Sequence, residues 1–187
     1  MAVKSKKASR KNLLEKYGYV GSFREGLAAV LDGIGEGVHF HILPNGKPAY
    51  EERYECALDF YEGLAVAKKD GKYFHILPNG KPAYEERYDF VCNFYNGLAA
   101  VKKGDQYFHI LPNGKPAYEE RYEEVCGFRN GLGWARKDGK YFHILPNGKP
   151  AYEERYDRVG PFKKGRAWVK KGDECFFILP NGERVDN

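Results

Sequence analysis

The sequence predicts an all-β fold built from five consecutive repeats of 34 residues. Two observations carry this prediction. A run of fifteen residues, FHILPNGKPAYEERY, occurs four times without a change, and the copies start 34 residues apart, at 40–54, 74–88, 108–122 and 142–156. A fifth copy, shorter and altered in sequence, begins at Phe176, again 34 residues after the start of the copy before it. A fixed period of this size is typical of an array of one supersecondary unit rather than of a domain with one irregular core.

The tyrosine that ends each run marks the boundaries of the repeats. This alignment gives repeat 1 (17–53), repeat 2 (54–87), repeat 3 (88–121), repeat 4 (122–155) and repeat 5 (156–187). Repeat 1 has three additional residues in the turn between Leu31 and Val38, and repeat 5 lacks the segment Pro-Ala-Tyr-Glu-Glu-Arg. We therefore predict one repeat domain over 13–187, preceded by a basic, disordered tail at 1–12.

Each repeat begins with a segment that alternates in polarity. In repeat 3, Tyr88, Phe90, Cys92 and Phe94 share one predicted face, which favours a strand with its apolar side buried. Glycine and leucine open a second strand, here at 98–102. In repeat 2, Asp70 and Gly71 then indicate a hairpin turn, since both residues tolerate positive φ.

The third strand of repeat 2, at 73–77, runs into a second tight turn at 78–81. After it the residues fit either a short edge strand or a single helical turn, and we expect an extended piece that ends in that turn. A helical array of the same period is excluded, because two prolines four residues apart and the glycines between the apolar runs leave no room for two helices in a repeat.

The order of residues in repeat 2 resembles the WG (Trp-Gly) β-repeat family of bacterial proteins. The matching residues are Tyr54-Glu55, Phe60, Gly63-Leu64-Ala65, Asp70-Gly71-Lys72, Ile76 and Gly80-Lys81, and the resemblance spans 17–187. At the dipeptide that names the family this chain has Tyr73-Phe74, which is typical of a divergent branch. The resemblance implies a β-rich array without a described catalytic activity, and it supplies no functional residues to transfer.

Strand-rich repeats either close into a propeller-like ring or stack as an open solenoid. We predict a closed, five-bladed ring, with an open β-solenoid array as the alternative. The prediction rests on the segment 13–16, which precedes the first strand where Glu-Glu-Arg stands in the other repeats. This segment would complete repeat 5 and protect its edge.

The charge of the chain is concentrated in its first residues. Lys4, Lys6, Lys7, Arg10 and Lys11 account for the net charge of +5, and the rest carries 26 basic and 26 acidic residues. A balanced body argues against nucleic acid as its partner. No apolar run approaches the length of a membrane span. The four cysteines form no CxxC pair, which predicts reduced, mostly buried thiols and a cytoplasmic location.

Two sets of repeated side chains are the candidates for ligand binding: His41, His75, His109 and His143, and Tyr73, Tyr107 and Tyr141. Because neither carboxylates nor cysteines lie near the histidines in the motif, we predict no metal site and a hydrogen-bonded, structural role for these imidazoles. Each Glu-Glu-Arg triplet is predicted to join repeats through Arg–carboxylate pairs. Trp134 and Trp168 are interpreted as packing variants, and the remaining differences between repeats as ordinary exchanges.

Four identical copies are the opposite of a specialised active site, and the sequence contains no phosphate-binding loop, nucleophile motif or dinucleotide fingerprint. The sequence therefore predicts a non-catalytic scaffold without a cofactor, which binds a protein partner or self-associates. The alternative is a multivalent, lectin-like protein that binds carbohydrate through the repeated tyrosines and histidines.

Overall fold

The computed structural model describes residues 7–33 and 37–185. Its contacts divide the chain into two compact parts, residues 1–94 and 95–187, and each part is described on its own. Lys4 and Lys6 of the predicted tail lie outside the described residues, as does the middle of the longer turn in repeat 1.

The described residues of the first part form one helix and seven strands: α1 (Arg10–Lys16), β1 (Tyr19–Val20), β2 (Ala28–Asp32), β3 (Val38–Ile42), β4 (Cys56–Tyr61), β5 (Leu64–Lys69), β6 (Lys72–Ile76) and β7 (Phe90–Val91). Those of the second part form nine strands: β8 (Ala99–Lys103), β9 (Gln106–Ile110), β10 (Glu124–Val125), β11 (Gly133–Lys137), β12 (Lys140–Ile144), β13 (Arg158–Val159), β14 (Ala167–Lys171), β15 (Glu174–Ile178) and β16 (Arg184–Val185).

Every repeat contributes one small antiparallel sheet, which confirms the all-β prediction with five repeats. In the first part the strand orders are β1-β2-β3 and β4-β5-β6. In the second part they are β10-β11-β12 and β13-β14-β15-β16, beside the hairpin β8-β9. Neighbouring strands also follow each other in the chain, as expected when short turns connect them. Closure into a ring stays a prediction.

The hairpin between the second and third strands forms where Asp-Gly predicted it. Asp70 and Gly71 have φ values of 53° and 73°, and Lys69 pairs directly with Lys72. Two successive positive φ values give a two-residue turn whose twist matches that of the flanking strands.

The second predicted turn also forms. The amide of Leu77 donates to the carbonyl of Lys81 at 2.9 Å, and the amide of Gly80 donates to that of Leu77 at 2.9 Å. The chain then runs back along the third strand, because the amide of Ala83 donates to the carbonyl of His75 at 2.9 Å. The expected extended piece is therefore confirmed, whereas the helical turn expected at its end is wrong, since residues 83–87 are not helical.

The predicted alternation of the first strand is wrong. Tyr88, Val91 and Phe94 are buried, while Phe90 is 46% exposed and Cys92 is exposed. The strand lasts for only two residues, Phe90–Val91, so period two is not maintained and burial returns at every third residue instead.

The predicted disordered tail is wrong for residues 10–12, which belong to α1. The amide of Asn12 donates to the Ser9 hydroxyl at 3.2 Å, a normal N-terminal cap. Leu13 is 4% exposed and its Cδ2 lies 2.7 Å from the place where a Cβ on Gly46 would stand. Together with Tyr17, whose hydroxyl donates to the Gly46 carbonyl at 3.0 Å, α1 covers the Asn-Gly turn of repeat 1.

The four cysteines are free, but the prediction that they are mostly buried is wrong: Cys92 and Cys175 are exposed, and Cys56 and Cys126 are half-buried. Over the described ranges, no helix is long and apolar enough to cross a membrane.

Candidate functional site

Each repeated histidine is a bridge to the following repeat. His75 is fully buried, and its Nε2 lies 2.9 Å from the carbonyl oxygen of Cys92. Since a carbonyl only accepts, Nε2 carries the proton, and Nδ1 accepts from the Tyr84 hydroxyl at 2.5 Å. The imidazole also packs on Phe94, with ring centroids 4.5 Å apart. The same arrangement joins His41 to Tyr50 and Leu58, His109 to Tyr118 and Cys126, and His143 to Tyr152 and Gly160.

Burial fixes the protonation state of this pair. It lowers the pKa of His75 and of His109 to about 4, and it lowers the pKa of His41 and His143 as well, although the carbonyl acceptor opposes the shift in each case. Burial raises the pKa of Tyr84 far above its ordinary value. At neutral pH the imidazole is therefore neutral and the phenol protonated, as the hydrogen bonds require.

The structural role predicted for the four histidines is confirmed, and the same geometry corrects their place among the ligand-binding candidates. The side chains of His41, His75, His109 and His143 are at most 1% exposed, and both ring nitrogens of each are bonded within the protein. They are not accessible to a ligand at the surface.

The tyrosine candidates have a different environment. Tyr73, Tyr107 and Tyr141 are half-buried on the third strand of three separate sheets, each directly opposite a basic residue of the second strand. The facing cations, Lys68, Lys102 and Arg136, lie 5.7, 5.5 and 5.7 Å from the ring centroids. These are cation–π pairs on a sheet face. A role of the tyrosines in binding stays a prediction.

The Arg–carboxylate pairs predicted for the Glu-Glu-Arg triplets are wrong. The guanidinium of Arg87 donates to the backbone carbonyls of Tyr84, Glu85 and Glu86 at 3.1, 2.8 and 3.0 Å, and it lies 3.9 Å from the Phe74 ring centroid. The tight backbone turn gathers three carbonyls within reach of one guanidinium, which supplies several donors in a fixed plane. The arginine therefore stabilises its own turn.

The tyrosine that precedes each triplet covers the Asn-Gly turn of the next repeat. A Cβ on Gly80 would overlap the ring of Tyr50, and the Tyr54 hydroxyl donates to the Gly80 carbonyl. The residues that are identical in every copy thus make the contacts within and between repeats. The repeats differ at exposed loop positions, such as Glu62, Asn130 and Lys164, and at buried positions, such as Ala57, Val91 and Val125.

The second part of the chain contains a cleft of about 1020 Å³ between the loops of repeats 3, 4 and 5. Two-residue turns build part of its wall: Asn130 and Gly131 have φ values of 52° and 78°, and Lys164 and Gly165 have 50° and 79°. The lining residues are Tyr95, Cys126, Gly127, Phe128, Arg129, Asn130, Leu132, Gly133, Trp134, His143, Pro161, Phe162, Lys163 and Lys164. Three of them are basic, and none is acidic.

Sequence reasoning missed this cleft. Gly127 and Asn130, at positions interpreted as ordinary exchanges, line it. Trp134 lines it as well, and packs on Tyr141 with ring centroids 5.5 Å apart. The sequence signal for it was the variation at the two positions before the glycine that opens each second strand. These two residues are Arg-Glu, Tyr-Glu, Tyr-Asn, Arg-Asn and Lys-Lys before Gly26, Gly63, Gly97, Gly131 and Gly165.

Within the described ranges, no group of three or more His, Cys, Asp or Glu side chains is arranged to hold a metal ion.

Comparison with known proteins identifies the repeat. The profile of the "WG containing repeat" matches residues 10–33, 44–73, 78–107, 112–141 and 146–175. No curated protein matches the chain.

Similar solved structures include the computationally designed Ika8 protein, at 12% identity and a TM-score of 0.54, covering 89% of this chain and 60% of that one. Kluyveromyces lactis Hsv2 is also similar, at 12% identity and a TM-score of 0.51, covering 87% of this chain and 60% of that one. At such identities the likeness concerns the fold alone. The chain spans about three fifths of the length of these two structures.

Proposed function

The chain belongs to the WG-repeat family, and on that premise we propose that it is a non-catalytic β-repeat scaffold that binds another protein or assembles with its own copies. The observation that supports this proposal most directly is the use of the identical residues. In repeat 2, both ring nitrogens of His75, the hydroxyl of Tyr84 and the Nη1 group of Arg87 form hydrogen bonds inside the protein.

A catalytic role would require a nucleophile, acid or base that reaches a substrate, held by an orienting partner. The His-Tyr pairs have the orienting partners but are buried between repeats. What the array offers to a partner is its loops, which differ from repeat to repeat while the His-Tyr contacts between repeats stay the same. Repeat proteins commonly use such a surface for recognition. The four free cysteines support a reducing compartment, and we propose a cytoplasmic location.

The lectin-like alternative retains one supporting observation. Tyr73, Tyr107 and Tyr141 present partly exposed rings beside a cation, and aromatic rings of this kind stack on sugars. The histidines no longer support it, because they are buried.

The scaffold and the lectin-like function are distinguished by probing a peptide array and a glycan array with the same labelled protein. We expect binding to peptides on a randomised peptide array and no binding on a glycan array, with calorimetry to confirm each hit in solution. Several equivalent sugar sites by calorimetry would replace the scaffold proposal with the lectin. Silence on the peptide array, together with a monomer at all concentrations in light scattering, would contradict the scaffold.

A further inference from the structure

The cleft in the second part is positively charged. Arg129, Lys163 and Lys164 are exposed on its wall, and no acidic side chain lines it. Among the described residues, none of these three cations takes part in an ion pair. Three unpaired cations around one concave surface attract an anionic group and are available to bind it.

The first part of the chain shows the same loop position in a neutralised form. Arg24 occupies in repeat 1 the position of Arg129 in repeat 4, and its Nε lies 3.1 Å from Oδ2 of Asp59 in the next repeat. Repeat 5 follows repeat 4, and its residue at the position of Asp59 is Pro161, which has no charge. The partner that pairs with the arginine in repeat 1 is thus missing at the cleft.

A second acid is lost in the same way. Glu25 follows Arg24, and its Oε2 accepts from the amide of Gly63 at 2.9 Å. The residues in the position of Glu25 are Asn130 in repeat 4 and Lys164 in repeat 5. The turn keeps its positive φ in all three, at 50°, 52° and 50°, so the backbone is preserved while the charge changes from negative in repeat 1 to neutral in repeat 4 and positive in repeat 5.

We propose that this cleft binds an acidic, extended segment of a partner protein, which rests on the scaffold function and names the chemistry of its partner. The guanidinium of Arg129 fits a carboxylate with two parallel hydrogen bonds, and the two lysines provide point charges for further carboxylates. Asn130 offers both a donor and an acceptor to a peptide backbone. The half-buried Leu132 in the lining gives an apolar side chain of the segment a place to pack.

A peptide fits this cleft better than a single-stranded nucleic acid. Such strands bind on aromatic rings that stack on successive bases. Here the rings of Phe128 and Phe162 are covered, with centroids 4.6 and 4.5 Å from the imidazoles of His109 and His143. Of the other lining aromatics, Trp134 is half-buried with its ring packed on Tyr141, whereas Tyr95 is 57% exposed and alone has a largely free ring surface among the described lining residues.

The test is a fluorescence-anisotropy titration of the full chain with a labelled peptide of alternating Glu and Ser around a central Leu. A peptide with Gln in place of every Glu is the matched probe without charge. An oligothymidylate and a heparin oligosaccharide of equal charge represent the other polyanions.

The protein variant carries Arg129→Tyr, Lys163→Tyr and Lys164→Asn, which install the residues of repeat 3 at these positions. Asparagine suits the positive φ of Lys164, and repeat 3 has it there as Asn96. The control variant carries Lys103→Gln, Lys137→Gln and Lys171→Gln, which remove three exposed charges outside the cleft.

We expect the acidic peptide to bind the natural chain and the control variant alike, and to bind the cleft variant at least about tenfold more weakly. We expect the Gln peptide not to bind, and added salt to weaken the acidic peptide. Equal binding to the natural chain and the cleft variant would overturn the inference, as would tighter binding of either polyanion than of the peptide. Hits on the peptide array that are not acidic would overturn this inference and leave the scaffold function in place, and so would the absence of hits from a chain that self-associates. The absence of hits together with a monomer at all concentrations would contradict both.

Discussion

The Nε2–H group of His75 donates to the backbone carbonyl of Cys92 at 2.9 Å, and this bond joins the third strand of repeat 2 to the first segment of repeat 3. Its direction decides the rest of the contact. Because Nε2 holds the proton, Nδ1 has a lone pair for the Tyr84 hydroxyl, so one neutral imidazole satisfies a carbonyl and a phenol in the core. The imidazole thereby pairs two buried polar groups that would be costly to leave unbonded.

We expect Gly80→Ala to destabilise the protein more than Gly63→Ala. Both glycines have positive φ, 80° and 77°, so both substitutions carry the same backbone strain of about 1 kcal/mol. A methyl group on Gly80 would overlap the Tyr50 ring, whereas no other group lies within 4 Å of one on Gly63. Overpacking should add about 1–3 kcal/mol for Gly80→Ala, measured by urea denaturation. Equal losses would show that Tyr50 does not hold this position in solution.

We expect the free energy of unfolding to decrease when the pH is lowered below the pKa of a histidine in the unfolded chain. The pKa of His75 and of His109 is lowered to about 4, so between about pH 6.5 and 4 the unfolded chain binds protons that the folded chain does not. Their contribution is complete above about pH 6.5 and is lost as the pH falls towards 4, at a rate of at most about 1.4 kcal/mol per pH unit for each histidine.

The measurement is the urea midpoint from pH 8 to pH 4.5. The control is His75→Phe with His109→Phe, which copies Phe177 of repeat 5. This variant should be less stable at pH 8 and should show a smaller decrease on acidification. An identical pH profile for both proteins would exclude these histidines as its cause.

We expect Leu13→Ala to destabilise repeat 1 and Leu14→Ala to have little effect. Leu13 is 4% exposed against the Gly46 turn, while its neighbour Leu14 is 44% exposed. Truncating a buried leucine to alanine lowers the free energy of unfolding by about 2–5 kcal/mol, whereas truncating an exposed one changes it by no more than about 0.5 kcal/mol. Hydrogen exchange of the amides at 43–47 reports the loss locally. Unchanged protection in Leu13→Ala would show that α1 does not cover the turn.

The closed ring predicts that the two ends of the array lie together. In a chain whose four cysteines have been replaced by serine, Lys16→Cys with Arg184→Cys should then form a disulfide within one molecule, because that bond requires Cα atoms within about 7 Å. Lys69→Cys with Lys72→Cys, which are direct cross-strand partners, controls for the oxidation. If the control pair forms and the terminal pair does not, the open array is correct.

The sequence by itself determined the features that depend on neighbours in the chain. The period gave five repeats, Asp70-Gly71 gave a hairpin because both residues adopt positive φ, and Pro78–Lys81 gave the second turn. The structural role of His75 also followed, because the residues around it are apolar and no ligand of a metal site accompanies it.

The tertiary structure alone decided which groups meet across distant parts of the chain. His75 donates to the Cys92 carbonyl, Arg87 to three backbone carbonyls, and α1 packs on Gly46. These contacts depend on backbone positions that no local pattern encodes. The cleft depends on them as well. Its cations, Arg129 and Lys163, stand in different repeats, and only the packing of one repeat against the next brings their loops around the same space.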